Sequence, residues 1–299
     1  MWLSLVITGH LLNAVAFLVD KILLTHAVRT ARAYAFFIGI LSAIALVLIP
    51  LGVGGVSLSG IIIDLLVGGL FIAALCSFFV ALKIGEASRV VPFLGGLIPI
   101  LTLLFERFSG TAFTTTEFFA ILVLTLGTVL IVWEPRRFYH RKHSTTPWMM
   151  AALAALCFAL AAAGARSLFL SQGFLPSFFW QRMGSVLAAA AMLVPRRSRR
   201  EISSAFSALP LSSAAAFLGN QVLGATGFFT LQYALTEVSA AVVQALQGVQ
   251  YVFLFLFVVL FSIRYPRLLS EQLAPATIVL KLAATSLIVG GIAVLARSS

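Results

Sequence analysis

Apolar residues run along this chain in long stretches rather than at a strand's or an amphipathic helix's period, with polar residues gathered into short breaks. Ten such stretches fall at about 2–24, 33–55, 58–82, 87–106, 116–133, 148–170, 174–195, 212–235, 238–262 and 275–296. Each is close to the roughly 20 apolar residues that a bilayer-crossing helix needs. Runs of this length are too long for barrel strands, and backbone facing lipid must satisfy its own hydrogen bonds, so the pattern predicts helices throughout. The expected fold class is an all-α integral membrane protein of about ten transmembrane helices. Met1 to Leu24 lacks a positively charged start and is interrupted by His10, Asn13 and Asp20, so it reads as a first span rather than a cleaved signal peptide.

A long polar break, 135–147, divides the chain near its middle. It separates a first five-helix unit at 1–134 from a second at 148–299. Ala81-Leu82-Lys83 through Glu86-Ala87-Ser88-Arg89-Val90-Val91 resembles Ala234-Leu235-Thr236-Glu237-Val238-Ser239-Ala240-Ala241-Val242, glutamate and serine matching at one offset. Both segments sit between the third and fourth span of their half. Five is odd, so a duplicated five-helix unit enters the bilayer upside down the second time, the inverted-repeat plan of many secondary transporters. Binding sites in that plan lie near the midplane, between the repeats.

Composition removes whole classes of function. The 299 residues are 61% hydrophobic and 10% charged, and the mean hydropathy is +1.10. A soluble domain is about half apolar and about a quarter charged. The net charge of +11 comes from 20 Lys and Arg against 9 acids. No nucleic-acid-binding motif accompanies it. The cations instead crowd the breaks, above all at Arg136, Arg137, Arg141 and Lys142 and at Arg196, Arg197, Arg199 and Arg200, where topology-setting charges and contacts with anionic lipid headgroups belong. The breaks after the odd-numbered spans hold most of them, which predicts that face as cytoplasmic and both termini outside. A multi-pass protein of a bacterial-type cell membrane is expected. Cys76 and Cys157 lie inside apolar runs and read as small core residues.

Signatures of zinc helices, nucleophile elbows and phosphate loops are missing. His140 and His143 are two imidazoles without further ligands. No catalytic residue, metal or cofactor is expected.

Candidate chemistry therefore rests on polar residues within spans, where they face a cavity or one another. In span nine, Gln244, Gln247 and Tyr251 share a stripe by i, i+3, i+7 spacing and are the leading substrate-binding candidates. Interhelical hydrogen bonding is the plainer role for the same stripe. In span one, His10 and Asn13 share a face with Phe17; Asp20 lies toward the membrane end. In span eight, Asn220 and Gln221 join a stripe that includes Gly224 and Phe228, open to either cavity lining or packing. Pro92, Gly95, Gly96 and Pro99 predict a bend in span four, since proline removes a donor and glycine relieves crowding. Arg182, about eight residues into span seven, is expected to snorkel to the interface; if deep, it needs Asp64 or a substrate anion as partner.

Three segments carry a family resemblance: Asn13 to Lys21, Ala33 to Leu41, and above all Glu86-Ala-Ser-Arg-Val-Val-Pro92-Phe-Leu-Gly95-Gly96-Leu-Ile-Pro99-Ile. They resemble the EamA-like family of the drug/metabolite transporter superfamily. The resemblance implies a ten-helix carrier of small metabolites, often an exporter, whose cavity is surrounded by helices one, three, four, six, eight and nine. The chain departs from the family where Phe105-Glu106-Arg107-Phe108 replaces a Gly-Glu-Arg-Leu-like turn, and where Gln244, Gln247 and Gln250 stand in place of a second proline pair. His10 and Asn13 replace the glutamate that couples protons in small four-helix relatives. The expected function is secondary transport, not driven by ATP, of a small metabolite by alternating access, with the coupling ion open. The alternative is a non-transporting membrane protein, a lipid-binding scaffold or receptor subunit.

Overall fold

A computed structural model describes the backbone of residues 1–26, 30–85, 87–133, 145–207, 211–264 and 275–298. The basic cluster Arg136 to Lys142, His140, His143 and almost all of the connecting segment 135–147 lie outside the described residues, as do the side chains of Asp20, Lys21 and Glu86 to Arg89.

The described chain is helical, with no strand among the described residues. Helix α1 covers Trp2–His26; α2, Ala31–Leu41, continues as a 3-10 segment over Ser42–Leu51. Helices α3 (Leu58–Ile84), α4 (Ala87–Phe108), α5 (Thr115–Val132), α6 (Thr146–Gln172) and α7 (Phe174–Ala191) follow. Then come α8 (Arg196–Ser207), α9 (Leu211–Ala234), α10 (Ala240–Ala245), α11 (Gln247–Arg264) and α12 (Pro275–Ser298). Side-chain caps mark the starts where the sequence supplies them. Ser57 accepts from Gly60 N–H ahead of α3, Ser239 accepts from Val242 N–H ahead of α10, and Thr114 with Glu117 forms a capping box on α5.

Eight of the described helical segments are long and apolar enough to cross a membrane, and nine if the bent α7–α8 pair is counted as one span. This is a multi-pass, all-α membrane protein. Helices α7 and α9 fall short of that measure alone because Gln181 and Arg182 in one, and Asn220, Gln221 and Gln232 in the other, dilute their apolar runs. Helix α8 turns away from α7 by 104°. It carries Arg196, Arg197, Arg199 and Arg200, and Arg32 of α2 donates to both oxygens of its Glu201 at 3.1 Å. Burial is the largest single influence on the Glu201 carboxyl and raises it, but the hydrogen bonds and charges of Arg32 and Arg197 together outweigh it and hold the group below the ordinary glutamate value.

Packing pairs the two halves of the chain. Helix α3 lies against α6 and α7, α1 against α9 and α11, α5 against α12, α4 against α6, and α2 against α7. Glycines set the closest crossings. A Cβ on Gly68 would strike the Gln181 carbonyl and one on Gly184 the Leu65 backbone, so α3 and α7 touch backbone to backbone. At Gly227 a Cβ would lie 2.6 Å from Asn13 Oδ1 and 3.0 Å from Gly9 O, which brings α9 equally close to α1.

Candidate functional site

Between these crossings the helices leave a cavity of about 570 Å³, a size ordinary for a small-molecule site. Its walls come from α1, α2 with its 3-10 segment, α3, α7, α9 and α11, thus from both halves of the chain. Most of the lining is apolar; Asn13, Ser42, Arg182, Asn220, Gln221 and Gln250 supply most of the polar groups. Ile44, Val47, Leu218 and Val222 line it and are more than half exposed, so the cavity opens sideways between the 3-10 segment and α9.

Each polar group is set by its helix. Asn220, 6% exposed, donates from Nδ2 to the Ala16 carbonyl at 3.1 Å. That bond fastens α9 to α1 at the cavity wall, so cavity lining and helix packing are combined in one residue. Gln221 is half-buried on the same wall, and Asn13 enters from α1 beside Gly227. Gln250 is buried, lines the cavity and lies against His10. His10 itself stays behind the wall, with Nε2 3.3 Å from the Val243 carbonyl and no hydrogen-bond partner on Nδ1. The cavity therefore brings together Asn13, Asn220 and Gln221 of the expected site residues. His10 contacts it only through Gln250.

The leading sequence candidates are not in its lining. Span nine is broken at Leu246 into α10 and α11, so Gln244 and Gln247 fall on either side of the break. At the break, Val249 N–H bonds the Leu246 carbonyl at 2.9 Å, a tighter turn than an α-helix makes. The Ala245 carbonyl accepts from Thr128 Oγ1 at 3.3 Å. Tyr251 packs on the main hydrophobic core. Gln250, absent from that stripe, is the span-nine amide that reaches the cavity. Its position relative to Gln244 and Gln247 could not be fixed from unbroken helical periodicity. Conversely α4 runs unbroken through Pro92 and Pro99. Gly95 and Gly96 sit where a Cβ would lie 3.1 Å from Thr128 Cγ2 and 2.9 Å from Val129 Cγ2, so they seat α4 on α5. None of the four lines the cavity.

Arg182 corrects an expectation. It does not snorkel: it stands halfway along α7, 9% exposed, with its guanidinium carbon 4.5 Å from the Phe228 ring centre, 5.0 Å from Phe71 and 5.5 Å from Phe178. Three rings and the cavity surround it, and the cation–π contacts offset part of the cost of holding the cation there. Asp64 is not its partner. That carboxylate, fully buried on α3, accepts from Gln181 Nε2 at 2.9 Å.

A second polar cluster lies apart from the cavity. Buried Glu106 at the end of α4 accepts from the Ala240 and Ala241 N–H groups at 2.8 Å each. Arg166 of α6 approaches it at 3.1 Å and donates to the Leu235 carbonyl at 3.3 Å. Sequence spacing could not single out Glu106, because two of its partners are backbone groups more than 130 positions away and the third, Arg166, lies on another helix.

No family model matches the chain, and no curated protein does. A solved crystal structure of a protein superposes with a TM-score of 0.70 at 19% identity, covering 98% of this chain and 95% of the other. At that identity the likeness is one of fold, and it extends over essentially the whole chain.

Proposed function

We propose that the protein is a secondary transporter that carries a small metabolite by alternating access, built as two inverted five-helix repeats and related to the EamA-like drug/metabolite carriers. The observation that carries this reading is the cavity itself: a polar-dotted chamber walled by helices of both halves, with Asn13, Arg182, Asn220 and Gln221 near the middle of their helices. Intramembrane polar groups converging on such a chamber are costly unless a passing solute uses them. The pairing of helices supports the repeat. Taking α1 to α5 as one unit and α6, α7, α9, α10–α11 and α12 as the other, the contact of α3 with α6 has its counterpart in α9 with α1. The contact of α4 with α6 is matched by α11 with α1, while α5 with α12 and α2 with α7 are their own counterparts. The cavity helices differ from those the resemblance implies, α2 and α7 standing in place of spans four and six.

Asn13, Asn220, Gln221 and Gln250 form the polar part of the proposed substrate site, and aromatic and aliphatic side chains cover the rest. The break in span nine places Gln250 on a discontinuous helix, the kind of element that serves substrate sites in carriers. A lipid-binding scaffold is the competing class, and flux separates them. In proteoliposomes the protein is expected to take up one member of a panel of amino acids, organic acids, sugars, nucleosides and polyamines, saturably and without ATP. Gln250→Ala and Gln221→Ala are expected to weaken that uptake about tenfold, the effect of losing a hydrogen bond worth about 1.4 kcal/mol, and Gln247→Ala to leave it nearly unchanged. No flux for any solute, with salt-sensitive binding of anionic lipid instead, favours the scaffold.

A further inference from the structure

Among the described residues, only Arg182 of the chamber lining is ionised at neutral pH, and no described Asp or Glu stands on its walls. Its side chain is 9% exposed, and its Nε is buried without an acceptor. Among the described residues no carboxylate forms an ion pair with it; Asp64, on the neighbouring α3, accepts from Gln181 through Oδ1, and its buried Oδ2 has no hydrogen-bond partner. Phe71, Phe178 and Phe228 offer it their ring faces. Rings draw a cation but do not replace the hydrogen bonds that a guanidinium makes in water, so the group remains incompletely compensated. A buried cation left in that condition, facing space large enough for a metabolite, is the arrangement that an incoming anion completes.

We propose that Arg182 is the counter-ion of the substrate, which is a small metabolite bearing one carboxylate or phosphate group on an apolar body. This inference rests on the carrier reading and names the substrate class of the same site. The anionic head meets the Arg182 guanidinium fork, whose planar donors suit either oxyanion. Asn13, Asn220, Gln221 and Gln250 are uncharged and read polar groups further along the molecule. Phe71, Phe178, Phe228 and the aliphatic wall near Leu41 and Leu75 cover its apolar part. The same head chemistry exists on anionic lipids, which could approach through the sideways opening; the volume of about 570 Å³ fits a free metabolite better than a two-chain lipid.

The test uses the full chain in phosphatidylcholine nanodiscs. Phenylacetate, hexanoate and phenyl phosphate are titrated beside the uncharged phenylacetamide, hexanamide and benzyl alcohol, with the unfolding temperature as readout. At least one anion is expected to raise it saturably, with its uncharged counterpart needing about tenfold more or failing. Arg182→Gln is expected to abolish that preference, Arg182→Lys to keep part of it, and ligand-free Arg182→Gln to unfold at the same or a higher temperature than wild type. Equal response to anion and uncharged analogue, no anion response in the wild type, or a drop of several degrees in ligand-free Arg182→Gln overturns the inference. Protection by phosphatidylglycerol with no soluble anion active overturns the metabolite assignment in favour of a lipid headgroup. Flux is scored separately. A neutral solute carried equally by wild type and Arg182→Gln removes the anion inference and leaves the carrier; an anion bound but never carried does the reverse.

Discussion

At the scale of single residues, the chain spends its few intramembrane polar groups in two ways. Some tie helices together, and some are left facing space. Asp64 and Gln181 are of the first kind: one is fully buried, the other 1% exposed, and they meet at 2.9 Å where Gly68 and Gly184 let α3 and α7 touch. Replacing Gln181 by Leu removes the donor and strands the carboxyl, a loss of about 1–3 kcal/mol, to be read from unfolding in detergent. The double variant Asp64→Leu/Gln181→Leu is expected to be less damaged than the sum of the single changes, because no polar group is then left unmet. Arg182 is of the second kind, and the contrast between these two adjacent residues is the clearest functional signal in α7. The sequence made the cost of both visible, since Gln and Arg interrupt an apolar run. It did not say which would be paired, because neighbouring positions on a helix point about 100° apart and their partners sit on other elements.

At the scale of elements, legibility followed hydrophobicity. All ten apolar stretches appear as helical segments within a few residues of their expected bounds, since a continuous apolar run has one way of hiding its backbone in lipid. Discontinuities were less legible. Two prolines leave α4 unbroken, while span nine breaks at Leu246 with no proline nearby. The break is made by tertiary partners. Thr128 bonds the freed Ala245 carbonyl, and Glu106 holds the first N–H groups of α10. Glu106→Ala is accordingly expected to release α10, to leave Arg166 without its carboxylate, and to cost about 3–5 kcal/mol, the usual penalty for stripping one member of a buried ion pair. Thermal unfolding of Glu106→Ala, Arg166→Ala and the double variant checks this; strict additivity of the two single losses counts against a coupled latch. Gln250 reached the cavity for a related reason. Once a helix breaks, the i, i+3, i+7 register on which Gln244, Gln247 and Tyr251 were grouped no longer carries across.

At the scale of the whole molecule, the proposed carrier reading turns on two helix pairs beside the chamber that meet in different ways. Helices α3 and α7 close on each other at backbone distance. The pair that the proposed repeat makes their counterpart, α9 and α2, meets through the rings of Phe217 with Tyr34 and Phe37, at 5.8 and 6.0 Å, and both helices also line the cavity. An inverted-repeat carrier exchanges such contacts between its two states, so the tight and the loose pair are expected to trade roles as access alternates. That exchange is the central claim, and it can be tested with no knowledge of the substrate. Cys76 and Cys157 are replaced by Ala, the cavity residue Ser42 is changed to Cys, and sealed vesicles of either orientation are treated with a membrane-impermeant maleimide. Alternating access predicts that Ser42→Cys is labelled from both sides of the membrane. Labelling from one side alone, under every condition, contradicts it and marks the chamber as a fixed pocket rather than a passage.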